Sequence, residues 1–571
     1  MSETILSPGV VLNENDQTFS TALPIEAGAA IIGPTVKGPV EVPTICTTYS
    51  EYIKKFGTTF TSGSQQYSYF TSISAYNYFE NGGTSLLVTR VTSGSFTPAT
   101  SSFISGSDIS QGTAFILETI SEGEIMNSDS PELSDGSLQL GSADNLRWQI
   151  ITPNTSSGTF TLLIRRGNDD GISQVVLETW ANLSLDPLAP NYIEKVIGNQ
   201  KQNLNTSEPE YYLELTGSYP NNSQYVRVKQ VNLKTPNYLD NAGDPISAYT
   251  SSIPIAQSGS FGGAIGSLIP STPGQYYQNI STINTQGLLG VDYDDAIKLL
   301  SNKDEYQFKY ITTPGLIQDT ISPAQTTALS TMCRERGDAL AVIDLCSYNQ
   351  LVSQVVGQST TINNSYTATY WPWVRVQDPN TGENVWVPAS TIIPGVLAFN
   401  DNIAEPWFAP AGTTRGVLSN VISAERNLPQ SVRDTLYSTN INPIATFPNV
   451  GAVIMGQKTL QKKKSALDRI NVRRLLIELK SFIGQAANNL VFEQNTQATR
   501  NEFLSIVNPY LFSIQQREGL NDFRVIMDET NNPPNIIDQN KLIGQIFIQP
   551  TRTIEFIQLD FNITPTGVTF E

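Results

Sequence analysis

This chain contains no histidine, which removes the usual general base near neutral pH and the commonest zinc ligand. Most hydrolase triads are thereby excluded, while paired carboxylates, lysine chemistry and Mg²⁺ on oxygen ligands have to be judged separately. Cysteine is nearly as scarce. Cys46, Cys333 and Cys346 are odd in number and form no C-x-x-C pair, so neither a zinc knuckle nor a disulfide framework is indicated, and buried reduced thiols are expected. No run approaches the roughly 18 apolar residues of a membrane span. The opening MSETILSPGVVLNEND has neither the basic nor the apolar region of a secretory signal. Synthesis in the cytoplasm, with no direct membrane insertion, is the expectation. Positive charge is also in deficit: 34 basic against 52 acidic residues, net −18, argues against wrapping nucleic acid or clinging to anionic lipid.

What is present is enough apolar material, 39% of 571 residues, for three or four folded domains rather than one core. Residues 29–33 read as a buried strand, 49–57 as a helical turn stopped by glycine, 66–80 as a helix and 85–91 as a β-branched strand. This alternation predicts an α/β domain, and it resumes with 307–311 as strand, 322–336 as helix and 339–344 as strand. The interval 93–286 differs: it is rich in Ser, Thr, Asn and Gly, with short alternating apolar runs at 115–117, 148–151, 159–164 and 225–228. It predicts a β-rich insertion whose ends lie close together on the parent domain. Further on, 465–493 carries a helical stripe of Leu467, Ile470, Leu475, Leu479, Phe482, Ala486 and Leu490, with Ser465 and Asp468 placed as a capping-box variant. A second helix over 496–518, bent at Pro509, and strands at 523–527, 542–548 and 553–563 with a bulge near Ile557 complete the reading. The fold class is multidomain α+β and α/β.

Residues 365–416 are dense in Trp, Pro and Gly and read as a surface built for contact. A strand over 370–377, the turn Asp378-Pro379-Asn380-Thr381-Gly382 and a return at 385–387 make a hairpin, followed by an apolar helix over 391–400. The wording resembles the contractile tail sheath family of myophages, in the segments Tyr370-Trp371-Pro372-Trp373-Val374, the Asp378 turn, Val387-Pro388-Ala389-Ser390 and Trp407-Phe408-Ala409-Pro410-Ala411-Gly412. Similar matches recur in order at Ser7-Pro8-Gly9-Val10, Gly38-Pro39-Val40, Phe56-Gly57, Phe79-Glu80-Asn81-Gly82-Gly83 and Val88-Thr89-Arg90-Val91. They continue at Gly456-Gln457-Lys458-Thr459-Leu460, Asn471-Val472-Arg473-Arg474-Leu475 and Phe492-Glu493-Gln494-Asn495. The inserted segment, with Asp144-Asn145-Leu146-Arg147-Trp148, further resembles the long sheaths of T4-like phages.

The resemblance implies a mechanical polymer subunit of a virion: six-membered rings stacked around a rigid tail tube, contracting from a metastable extended helix to drive the tube through the host envelope. It implies as partners further copies of this chain, a tail tube protein, and baseplate and tail terminator proteins, with no nucleic acid, cofactor or catalysis. Its fold implies an N-terminal arm (1–20) donated to a neighbour, a middle α/β domain (21–92 and 287–440), β-rich outer insertions (93–286), a C-terminal inner domain of helices and a small sheet facing the tube (441–555), and a C-terminal arm (556–571). The β-prone residues Val10, Val11, Leu12, Leu559, Phe561 and Ile563 at the extreme ends suit donation, because an unpaired strand is a liability unless a sheet accepts it. Pairing within their own chain is the alternative. Between Gly456 and Lys480 there are eight basic and two acidic residues. Within that run Lys462, Lys463, Lys464, Arg473 and Arg474 are expected to form a basic patch facing an acidic tube, against the ordinary alternative of a solvated face.

Two readings from other classes compete. Asp292, Asp294, Asp295 and Asp344 could serve a carboxylate enzyme acting on polysaccharide, although the first three also suit the start of a helix. Asn168-Asp169-Asp170-Gly171 could bind calcium in an adhesin, but no bidentate Glu stands at the right distance and an Asx turn fits better. A sheath of a non-phage contractile injection particle is the nearest alternative.

Overall fold

The computed structural model describes residues 27–62, 65–268, 285–319 and 323–556. Its central sheet has eight strands, ordered Thr44–Cys46, Leu86–Arg90, Ala27–Gly33, Phe308–Ile317, Leu340–Asp344, Thr367–Trp371, Asn442–Phe447 and Gly451–Ile454. The six inner strands are parallel and the two edge strands antiparallel. Parallel strands are covered on both faces, which is why they read as apolar runs rather than alternations. Ala29, Ala30, Ile31 and Ile32 are fully buried. Helix Phe70–Glu80 lies on Ala27–Gly33 and Phe308–Ile317, and helix Pro323–Arg336 on Phe308–Ile317 and Leu340–Asp344. The first approach is so close that a Cβ on Gly28 would collide with the Tyr78 hydroxyl, which donates to the Ser85 carbonyl at 3.0 Å. Only glycine leaves that ring its place.

The chain leaves this sheet after Leu86–Arg90 and returns at Phe308–Ile317, on the other side of Ala27–Gly33. In between lies a seven-stranded antiparallel sheet, ordered Val176–Ser184, Thr159–Arg166, Leu146–Asn154, Gln257–Gly262, Pro98–Ser101, Phe115–Glu122 and Val226–Val231. Its first and last strands in sequence, Pro98–Ser101 and Gln257–Gly262, pair with each other, so the insertion departs and re-enters at one place. Phe160, Leu162 and Ile164, two residues apart, all point into one core, where the Phe115 and Phe160 rings stack at 5.6 Å. Helix Ile193–Ile197 packs against both outer strands, and Glu178 accepts from Ser223 Oγ (2.6 Å) and the Gln224 amide (2.9 Å), drawing the sheet's two edges together. Arg90 ties the unit to its parent by donating to the carbonyls of Gly38 (2.6 Å) and Glu122 (2.8 Å), and Lys37 pairs with Asp144 at 3.3 Å.

The third unit packs helices Ile470–Asn488 and Gln497–Gln516 against a hairpin of Leu520–Ile526 and Gln545–Pro550. Its core is Leu475, Leu479, Phe503, Val507, Leu511 and Ile514, with Trp407 reaching in from the preceding segment to donate to the Arg517 carbonyl at 2.9 Å.

Several elements differ from the sequence expectation, each for a local reason. The strand expected over 370–377 is two strands in different sheets, Thr367–Trp371 and Val374–Gln377, divided at the cis Trp371–Pro372 bond, because proline has no N–H to give either ladder. The helix expected from Gln66 begins at Phe70. Tyr67 instead pairs opposite Phe60 in a short hairpin, with the two rings 5.9 Å apart. Ser465 caps only a short 3₁₀ turn, Ala466–Asp468, and the long helix starts at Ile470, whose amide donates to the Gln457 carbonyl. Pro509 lies within a helix that runs without a break over Gln497–Gln516. The division expected at 441 falls short of Asn442–Phe447 and Gly451–Ile454, both strands of the central sheet. Residues 551–556 pair in no strand, and Ile557 lies outside the described residues.

Candidate functional site

Of the acidic candidates, Asp292, Asp294, Asp169, Asp170 and Asp344 are committed to hydrogen bonds within the fold. Asp292 Oδ2 accepts from the Leu289 amide at 2.7 Å at the start of a short helical turn, and Asp294 accepts from Gln325 Nε2 at 3.1 Å. Asp170 makes the expected Asx turn, accepting from the Ile172 amide (2.8 Å) and the Ser173 amide (2.5 Å). Among the described residues no group of three or more Cys, Asp or Glu side chains is placed to hold a metal ion, and no helix is long and apolar enough to cross a membrane. Cys46, Cys333 and Cys346 are buried and unpaired, and burial pushes the Cys46 and Cys333 thiols up to about 12.

Asp344 ends its strand fully enclosed and receives the Ser390 amide (3.1 Å) and the Ser390 hydroxyl. Burial lifts its carboxyl to about 7, although both bonds from Ser390 favour the ionised form. The folded carboxyl therefore holds its proton more tightly than the unfolded one. Its stabilising contribution is complete below about pH 4 and is lost as the pH rises towards 7. Between pH 5 and pH 8 the wild type is expected to lose on the order of 2 kcal/mol more stability than Asp344→Asn. Urea unfolding at both pH values tests this, and identical pH profiles would refute it.

The expected basic patch divides in two. Lys462, Lys463 and Lys464 are exposed on the loop after the central sheet; Lys462 donates through its amide to Asn363 Oδ1 (3.0 Å) and through its ammonium to the Thr360 carbonyl. Arg473 and Arg474 are buried at 3% exposure each, which corrects their assignment to a tube-facing surface. Arg473 lies 3.8 Å from the centre of the Tyr366 ring and donates to Ser365 Oγ at 2.5 Å. Arg474 donates to Asp401 and, at 2.9 Å, to the Tyr310 hydroxyl. Burial opposes the Arg474 charge, but Tyr310 and Asp401 more than offset it. Both arginines join the helical unit to the central sheet, and Lys309–Glu478 at 2.9 Å adds a third link.

The aromatic stretch is likewise turned inward. Trp371, Trp373 and Trp407 are buried, and Trp373 donates to the Cys346 carbonyl at 2.9 Å with Phe70 edge-on at 6.2 Å. An open surface is found instead on the C-terminal hairpin. Among the described residues Leu520–Ile526 and Gln545–Pro550 pair only with each other, so each keeps one unpaired edge, and Phe547 is 54% exposed on the face away from the helices. Val10, Val11, Leu12, Leu559, Phe561 and Ile563 lie outside the described residues. Glu555, which accepts from Arg469 Nε at 2.6 Å and from the Tyr437 hydroxyl at 2.9 Å, had only a faint signal in the sequence: one acid in a strand-like apolar run.

Comparison with known proteins agrees with this architecture. Residues 289–460 match the phage tail sheath protein central domain, and residues 462–564 match the phage tail sheath C-terminal domain. The tail sheath protein of Vibrio phage KVP40 is 37% identical over 254 residues, 44% of this chain and 37% of that protein. The tail sheath protein of Enterobacteria phage T4 is 36% identical over 231 residues, 40% of this chain and 35% of that protein. The chain thus spans roughly a third of the length of these curated relatives. The crystal structure of a sheath tail protein from Listeria innocua shares the fold, with a TM-score of 0.54 at 10% identity over 92% of this chain and 95% of that one. Two adjoining sheath domains, in one order and on the central sheet and the helical unit just described, make residues 289–564 of this chain similar to the central and C-terminal domains of phage tail sheath proteins.

Proposed function

We propose that this chain is the repeating subunit of a contractile phage tail sheath. Copies stack as six-membered rings around a tail tube and shorten together from a metastable extended helix, driving the tube through the host envelope. The observation that carries the reading is the pair of adjoining sheath-domain matches over 289–460 and 462–564. The role is mechanical and non-enzymatic, and it needs no cofactor. In this reading the seven-stranded insertion is the outer domain and the helical unit the inner, tube-facing one, with tail tube, baseplate and terminator proteins as partners in the virion after assembly in the host cytoplasm.

The hairpin of Leu520–Ile526 and Gln545–Pro550 supports an exchange of arms. Two strands alone are marginal in water, and open edges are templates for further strands. Residues 1–20 and 556–571 of neighbouring copies would complete that sheet, with Val10, Val11, Leu12, Leu559, Phe561 and Ile563 as the donated residues. Backbone pairing across subunits keeps a lattice linked while its members rotate as rigid bodies. Deleting residues 1–15 is expected to abolish pelleting of polymers while leaving far-UV circular dichroism unchanged. Reversing Lys462, Lys463 and Lys464 to Glu is expected to weaken loading onto acidic tail tubes at least ~10-fold at low salt, with little change in stability. Undiminished loading would remove these lysines from the tube-facing surface.

A further inference from the structure

We infer that Glu555 anchors the C-terminal arm to its own subunit, and that Ile554 and Phe556 beside it form an apolar contact for a second copy of this chain. The inference rests on the sheath reading and names the point at which a subunit grips the arm it shares. After Pro550 the chain leaves the hairpin and crosses to the junction of the central sheet and the long helix. There the Glu555 carboxylate accepts from Arg469 Nε (2.6 Å) and Nη2 (2.9 Å), the Tyr437 hydroxyl (2.9 Å) and Gln457 Nε2 (3.2 Å). Gln457 Nε2 also donates to Thr553 Oγ1 at 2.5 Å.

These partners come from three separate elements. Tyr437 lies on helix Gln430–Ser438, which packs on strand Asn442–Phe447. Gln457 follows the last strand of the central sheet. Arg469 is the N-cap of the 19-residue helix Ile470–Asn488, so the ion pair ties the arm to the start of that helix. Two parallel N–H bonds from one guanidinium fix a carboxylate in direction as well as distance. Force applied to the arm therefore enters the central sheet and the long helix, bypassing the two-stranded hairpin.

The same six residues have a second face. In extended backbone alternate side chains point opposite ways. Thr553 and Glu555 turn to their own subunit, while Ile554 and Phe556 are 82% and 83% exposed. Clefts of about 510 and 630 Å³ flank them, the first lined by Thr439, Lys462 and Phe556 and the second by Val472, Arg552 and Ile554. An apolar pair so exposed beside two clefts suits burial against another chain, and the sheath reading makes that chain a second copy of this one.

The charged groups facing Glu555 are Arg469, Asp468 (3.0 Å from Arg469), Lys458 and Lys464, with the Tyr437 phenol. Burial alone would raise the Glu555 carboxyl; the bonds from Arg469, Tyr437 and Gln457 outweigh it and hold it below the usual range. The grip is therefore complete above about pH 4.3 and loosens as pH falls through the lowered value.

The test is limited trypsin cleavage after the exposed Arg552 in the soluble full-length chain as wild type, Glu555→Gln, Glu555→Ala, Arg469→Ala and the double alanine variant, each also assayed for pelleting. Cleavage there is expected to quicken at least ~10-fold in each single variant, with no further gain in the double, because both remove one interaction. Helix 470–488 should stay as resistant as in the wild type in both Glu555 variants. Polymers should be shorter or salt-labile in every variant, and Ile554→Ser with Phe556→Ser should reduce pelleting while leaving cleavage after Arg552 unchanged. Unaltered cleavage in both Glu555 variants overturns the anchor, and normal pelleting of the Ile554/Phe556 variant overturns the contact. Failure of the wild type to polymerise would count against the sheath reading and the contact, while the cleavage data would still decide the anchor.

Discussion

Asp169→Asn is expected to destabilise the inserted sheet by about 3–5 kcal/mol, the range for removing one partner from a buried ion pair. The Asp169 side chain is wholly enclosed and accepts from Arg165 Nε (2.8 Å) and Nη2 (2.9 Å), Arg147 Nη1 (3.2 Å) and the Val175 amide (2.9 Å). Arg147, also fully buried, is held on its other side by Glu132 at 2.7 Å and by the Gly136 carbonyl. An amide in place of the carboxylate leaves two guanidinium groups enclosed together with Glu132, which is bonded to Arg147, as the one counter-charge for both. Hydrogen exchange should show strands 146–154, 159–166 and 176–184 opening together, with the central sheet unaffected. A loss below about 1 kcal/mol would put the pair in the class of surface ion pairs and contradict the account. This role also explains the Asp-Asp-Gly sequence without calcium: Asp169 neutralises the arginines, and Asp170 makes the turn.

Arg474→Ala is the second large effect, about 3–5 kcal/mol, directed at the joint between units. Without the guanidinium, Asp401 and the Tyr310 hydroxyl lose their shared donor and a void opens beneath helix Ile470–Asn488. Arg473 over Tyr366 and the Lys309–Glu478 pair remain, so the helical unit is expected to keep its own fold but dock more loosely. Limited proteolysis should then cut between residues 455 and 469 where the wild type resists, and the thermal transition should broaden or split. If Arg474→Ala instead behaves like reversal of Lys463, stable but poorly loaded on tubes, the assignment of Arg474 to the interior is wrong.

These arginines mark the boundary of what the sequence could disclose. The strand, helix, strand order of the central sheet was legible because parallel strands at 27–33 and 340–344 announce themselves as apolar runs, and the insertion because its turn density changes at once after Arg90. Arg473 and Arg474 sit in a basic run that reads as one tube-facing patch, since their partners Tyr310 and Tyr366 lie far away in sequence; Arg474 meets Tyr310 across 164 positions. Glu555 is similarly silent until Arg469 and Tyr437 are brought beside it. Trp371–Pro372 fell inside one β-prone run, and only the missing N–H hints that the run serves two sheets. The exposed lysines at 462–464 needed no distant partner to be recognised. Periodicity reports which face a residue takes, but not what meets it there.

Electron microscopy of the purified full-length chain, incubated with and without isolated tail tubes, tests the central claim most directly. Negatively stained samples are expected to contain ring stacks or helical tubes with sixfold symmetry, and sleeves around tail tubes where these are supplied. Monodisperse particles that leave the tubes bare under both conditions would contradict a sheath subunit.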